Sequence, residues 1–382
     1  MKWNGVGMAV SDDGVHWKEI GKVIDMPAVG VDRTGAGTVW AVPDDSGNER
    51  FIMSHSEWQI TAGSEREDGL QQTILFSESQ DLIHWTRLKN EFHHDTRWYD
   101  GNGRWDNIWP MPRPEGGFYG YWVASPKNDV VGIGFGESLD GVAWEALEPA
   151  EIHGVPNSSE VSAVHRRQDK CYLIYAGWTG NDFSIEQRTL VGDWPSGPFS
   201  PAPKNQRLLV GNASYFVRFV ETPDGVLATF HSWETDDSLL MGITDRVYMT
   251  PLKRADWDEE GTLRLKWWEG NEKAKTENVP LKSPVLGMHF DPDETLILEG
   301  VLPLANPKST APNGLYLHGK EESGTAFLMQ ENGAVDYGSM QVDGSGFEKE
   351  GSVDRDLTLK YPVHFRLVRK GLLTEFYLND YL

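Results

Sequence analysis

Apolar and polar residues alternate along this chain in short bursts, not at helical spacing. "GVGMAV", "TILFSE", "VGIGFGE" and "KCYLIYAGW" each run for a handful of residues, in a chain punctuated by Gly, Pro, Asp and Asn. Stretches of that length with a period of two, closed by turn formers, predict β-strands. No long segment carries the 3.6-residue period of an amphipathic helix. The chain reads as all-β.

Three segments share one pattern: "SDDGVHW" (Ser11 to Trp17), "SQDLIHW" (Ser79 to Trp85) and "SLDGVAW" (Ser138 to Trp144). Each follows an apolar alternating stretch and precedes another short strand. Ser and Asp can cap the backbone donors of a tight turn, and the tryptophan then packs beneath it. A recurrence at about sixty to seventy residues suits one four-stranded sheet with loops per unit, which is a propeller blade. "EVSAVHRRQDKCYLIYAGW" opens a fourth unit, and "SYFVRFVETPDGVLATFHSWE" with "SLLMGITDRVYMTPLKRADWDEEGTLRL" makes a fifth. Residues 1–265 are therefore expected to form a five-bladed β-propeller whose first blade is incomplete. "WWEGNEKAKTENVP" falls in a linker over 266–289. Alternating segments such as "GLYLHG", "TAFLMQEN" and "PVHFRLVRKG" predict a β-sandwich over 290–382. "LTEFYLNDYL" is expected to end in mid-strand and leave an unpaired edge, so the sandwich would be truncated.

Composition changes the picture in two ways. Sixteen tryptophans, 40 glycines and 21 prolines suit a turn-rich protein that stacks flat rings on the apolar faces of sugars. A formal charge of -23 repels phosphate backbones and anionic lipid surfaces, so neither nucleic acid nor membrane is expected as a partner. No apolar run approaches the roughly 18 residues of a membrane helix. The single cysteine, Cys171, excludes an intramolecular disulfide and a multi-cysteine metal site. "GIGFG" has the glycines of a nucleotide loop but lies within a strand with no following helix. "FHHD" at 92–95 lacks metal-ligand spacing. Neither cofactor nor metal is expected.

In a propeller the first strand of each blade lines the central channel, so a site should gather from strand starts far apart in sequence. Four units open on "GAGTVWAV", "RWDNIWPMP", "SSEVSAVHRR" and "NASYFVRF". Two of these carry a carboxylate at a similar place, Asp106 and Glu160. Cleavage of a glycosidic bond needs carboxyl groups beside an oxocarbenium-like transition state, one of them protonated to assist the leaving group. Further candidates for gripping a sugar are Arg104, the rings Trp40, Trp58, Trp105, Trp178 and Trp233, and the histidines His55 and His231. Trp105 and Trp109 are expected to fix the strand under Asp106.

The five units, the trailing all-β segment and the passage "TPLKRADWDEEGTLRL" between them resemble glycoside hydrolase family 32, the invertase and inulinase type, and more loosely family 43. "RWDN" lies where that family carries Arg-Asp-Pro, although a tryptophan separates arginine from aspartate and the proline is missing. The resemblance implies that Asp106 stabilises the transition state. "SSEVSAV" lies where the family carries Glu-Cys, with valine for cysteine, and implies Glu160 as the general acid. The family's nucleophile belongs to a Trp-x-Asn-Asp-Pro-Asn-type motif on the first strand of blade one; "MKWNGVGMAVSDD" already reads as the third. The expected function is cleavage of a fructoside or related furanoside by a carboxylate mechanism. Alternatives are a carbohydrate-binding or catalytically inactive propeller, or an arabinosidase or xylosidase of the family-43 kind. Asp106 is expected to stay ionised. Glu160 is expected to be held in its acid form by aromatic rings and by its partner's charge.

Overall fold

The computed structural model describes residues 5–25, 33–44, 46–60, 70–127, 132–155, 159–179, 184–210, 214–235, 244–280, 295–302, 313–318, 323–330, 332–359, 362–371 and 373–382. Among them the chain is all-β, with one 3-10 helix at Glu269–Ala274. The chain divides into two compact units, residues 1–178 with 188–201 and residues 179–187 with 202–382.

The first unit opens with an antiparallel hairpin, Gly5–Val10 against Lys18–Asp25. A four-stranded meander follows, in the order Arg33–Pro43, Glu49–Ile60, Leu70–Ser79 and Thr86–Phe92. A second runs Trp105–Pro112, Phe118–Ala124, Ile133–Ser138 and Glu145–Ala146. Ser159–Arg167 then pairs with Lys170–Thr179. Trp40, Ile52, Ile74, Phe76, Phe92, Tyr99, Trp105, Ile108 and Trp122 form one apolar core shared by the two meanders.

The three repeated turns join the last two strands of the hairpin and of each meander. In each, the aspartate accepts hydrogen bonds from two successive backbone N–H groups. Asp13 takes Val15 and His16, Asp81 takes Ile83 and His84, and Asp140 takes Val142 and Ala143, at 2.8–2.9 Å. The serine hydroxyl donates to the same carboxylate at 3.1–3.2 Å. The residue after the aspartate has a positive φ, 73° at Gly14, 64° at Leu82 and 75° at Gly141, which favours glycine at two of the three positions. The tryptophans differ from expectation. Trp144 packs edge-on against Trp40 at 6.2 Å, whereas Trp17 is 59% exposed.

The second unit contains the strands Ser214–Thr222, Gly225–Thr235, Lys253–Trp257 and Leu263–Trp267 in that order, with Thr244–Met249 also paired to Gly225–Thr235. Leu296–Leu302, Val363–Lys370 and Leu373–Leu378 make a three-stranded sheet. Asn313–His318, Ser323–Met329, Val335–Gln341 and Glu348–Val353 make a four-stranded one. Leu302, Val363, Leu367 and Phe376 of the first meet Met329 and Val335 of the second in a common core.

Two segments of the second unit are packed where the chain has little strand pattern. The segment read as a charged connector is packed at its start, with Trp267, Trp268 and Asn271 buried. The final strand stops at Leu378, and Asn379 and Asp380, at φ 48° and 67°, turn the chain back. Trp267 N–H then donates to the Asp380 carbonyl at 2.8 Å, and Leu382 N–H to the Leu265 carbonyl at 3.0 Å.

Candidate active site

The strand Trp105–Pro112 is buried at every residue but the last, so both of its faces are covered. Trp105 anchors its start. The ring lies among Phe92, Tyr99 and Trp122 with centroids about 5 Å away, and its indole N–H donates to the Phe92 carbonyl at 2.8 Å. Its backbone N–H donates to Gln72 Oε1 at 3.0 Å. The Trp109 indole donates to the Val164 carbonyl at 2.7 Å, which ties the strand to Ser159–Arg167. The two tryptophans thus hold the strand, as its sequence suggests.

Between them the pairing with Phe118–Ala124 is interrupted by a bulge from Asp106 to Trp109. Asn107 takes φ +57°, a conformation that asparagine tolerates better than most residues. Its side-chain amide donates to the Val161 carbonyl at 3.1 Å, next to Glu160. Asp106 and Glu160 are thereby brought to one place, and Arg104 joins them. The Arg104 guanidinium forms an ion pair with Glu160 Oε1 and approaches Asp106 Oδ2 at 3.6 Å. The side chains of Glu160 and Asp106 are 4% and 12% exposed, while Arg104, at 38%, opens to solvent.

Ser56, on Glu49–Ile60, completes the arrangement. Its hydroxyl donates to Asp106 Oδ1 and accepts from the Asn107 N–H at 3.3 Å. Burial pushes the Asp106 carboxyl above the usual carboxylate range. Arg104, the Ser56 hydroxyl and the Asn107 N–H pull it back, while the charge of Glu160 adds to the rise. Burial thus works towards the acid form of Asp106, and the Arg104 guanidinium pairs with Glu160.

The remaining candidates are scattered. Trp40, like Trp105, belongs to the apolar core and offers no ring face to a sugar. His55 is buried on the face of its strand opposite Ser56, with Nε2 3.2 Å from the Ser77 hydroxyl and Glu57 beside it. Burial, then Arg87, lowers its pKa to about 4. His231 lies in the second unit, edge-on to Tyr215 at 5.2 Å, its pKa lowered to about 4 by burial and then by Arg218. The side chains of Trp58, Trp178 and Trp233 lie outside the described residues. Among the described residues no cluster of His, Cys, Asp and Glu suits a metal ion.

Sequence reasoning passed over Ser56, Gln72 and Asn107. One signal was available, an asparagine directly after the aspartate within a buried strand, which marks a bulge.

No family model and no curated protein matches this chain. Solved structures do. Sucrose-6-phosphate hydrolase from Lactobacillus gasseri aligns over 98% of the chain and 77% of its own, with 14% identity and a TM-score of 0.65. A mutant GH32 β-fructofuranosidase from Bombyx mori, in complex with sucrose, aligns over 99% and 79%, with 13% identity and a TM-score of 0.68. Exo-inulinase from Aspergillus awamori aligns over 99% and 84%, with 12% identity and a TM-score of 0.61. The chain has the fold of these enzymes. That likeness in fold extends along nearly the whole chain.

Proposed function

We propose that this protein is a glycoside hydrolase acting on a fructoside or a related furanoside. The observation that carries the reading is the meeting of Asp106, Glu160 and Arg104 at the starts of two successive sheets, in a chain with the fold of enzymes named for sucrose phosphate, fructofuranosides and inulin. In this reading the sheets up to about residue 265 are blades of a five-bladed propeller, and the two sheets after about 290 are its sandwich. Asp106 and Glu160 lie at the channel mouth.

Glu160 is the proton donor and Asp106 the charge stabiliser. Positive charge developing on the sugar ring favours the Asp106 carboxylate and offsets its burial at the moment of reaction. Arg104, bound to Glu160 and open to solvent, releases that carboxylate when sugar hydroxyls replace it, and Glu160 then takes from solvent the proton that it gives to the leaving oxygen.

The test is a hydrolysis screen with sucrose, inulin, levan and aryl arabinofuranosides, with sugar binding followed by calorimetry. Glu160→Gln should abolish most turnover of substrates with poor leaving groups and spare activated aryl glycosides. Asp106→Asn should slow both. Binding without turnover would instead support a carbohydrate-binding propeller. Equal losses on both substrate types in Glu160→Gln would remove the acid role.

A further inference from the structure

The geometry points to Ser56 as the positioning residue that holds Asp106 by Oδ1 and opposes its protonation, so that Oδ2 is the oxygen presented to Arg104 and to a ligand. This rests on the reading of Asp106 as the charge stabiliser, and it concerns how that role is enforced.

A serine hydroxyl has one proton and can both donate and accept. At Ser56 the oxygen accepts from the Asn107 N–H at 3.3 Å while the hydroxyl donates to Asp106 Oδ1. Ser56 is 1% exposed, so that bond is shielded from bulk solvent. A hydrogen bond donated to a buried carboxylate favours the ionised form and fixes which oxygen is used. Oδ1 is consequently committed to the fold. Oδ2 faces the guanidinium 3.6 Å away.

The neighbouring residue pair isolates the effect. Ser54, two residues earlier and fully buried, accepts a bond from the Thr38 N–H at 3.1 Å, at the bulge in Arg33–Pro43. Both serines serve a bulge, but only Ser56 has a carboxylate on it. The charged groups facing Asp106 are Arg104 and Glu160. The flanking His55 and Glu57 point to the other face of the strand, towards Ser77 and Arg87.

Ser56→Ala should raise the titration midpoint of Asp106 by about one pH unit and lower kcat about tenfold, with KM changed less. The acid limb of the pH–activity profile should move to higher pH by the same amount, because the carboxylate is then lost at higher pH. Ser54→Ala removes an equivalent bond and should leave both the midpoint and the acid limb in place. Selective 13C-aspartate NMR reads the midpoint without any turnover, with the Asp106 signal assigned by its loss in Asp106→Asn. An unmoved midpoint in Ser56→Ala, or an equal shift in Ser54→Ala, overturns the inference. Absence of hydrolysis by the unaltered protein would count against the function proposed above and leaves the NMR comparison decisive for Ser56.

Discussion

The second unit contains an ion pair whose energetics can be worked through. Lys253, on Lys253–Trp257, and Glu375, on Leu373–Leu378, are 0% and 3% exposed and meet through Nζ and Oε1. Lys253 Nζ also donates to the Pro251 carbonyl at 2.6 Å and lies 4.5 Å from the centre of the Phe230 ring. The Tyr377 hydroxyl donates to Glu375 Oε2 at 2.7 Å. Removing one partner of such a pair leaves a buried charge and costs about 3–5 kcal/mol. The Pro251 carbonyl and the Phe230 ring remain in Glu375→Gln, and burial already lowers the Lys253 pKa, so the ammonium can shed its proton. These two reliefs place the expected loss near the lower end, about 3 kcal/mol, or a fall in Tm of roughly 6–12 °C for a unit of this size. Lys253→Met/Glu375→Leu/Tyr377→Phe replaces every polar member by an apolar group of similar volume and should recover most of that loss. Urea and thermal melts at pH 7 on the three proteins decide the matter. A loss below about 1 kcal/mol in Glu375→Gln, or a triple variant weaker than the single one, would refute the account of a desolvated pair.

Three further outcomes follow from features of the first unit. Trp105→Ala should destabilise by about 3–5 kcal/mol in a denaturant melt, because it empties the centre of the aromatic core. Leu82 holds φ +64° where the other two turns have glycine, and Leu82→Gly should be neutral or stabilising by up to about 1 kcal/mol in the same assay, against a clear loss for Gly141→Leu. His55 has its pKa depressed to about 4, so the unfolded chain binds a proton between pH 6.5 and 4 that the folded one does not. Stability should therefore fall as pH drops through that window, by up to roughly 3 kcal/mol, and the slope should flatten in His55→Gln.

Much of the strand order was legible because its signals are local. The Ser-Asp-Gly turns, the period-two runs and the spacing of the repeats all lie within a few residues of one another, and the three turns fold alike. Asp106 and Glu160 could be singled out for a similar reason, as carboxylates at the starts of apolar strands. What surrounds them could not. Ser56 reaches Asp106 across fifty residues, and only the folded sheet shows that His55 and Ser56, adjacent in sequence, face opposite ways. Tryptophan misled most, since a ring that suits a sugar suits a core equally well, and Trp40 and Trp105 went to the core. The turn at Asn379 and Asp380 was missed because its residues follow an alternating strand without Gly or Pro.

The bulge at Asp106 has a counterpart in three other strands that open a sheet: between Ala36 and Val39, between Val161 and Ala163, and between Tyr215 and Arg218. A bulge breaks the two-residue rhythm at one point, so the strand ahead of it and the strand beyond it keep separate phases. In the strand of Asp106 both sides of the break are packed, Trp105 ahead of it and Trp109 beyond it, so the change of phase lets Asp106 meet Ser56 and Arg104 while both rings stay buried.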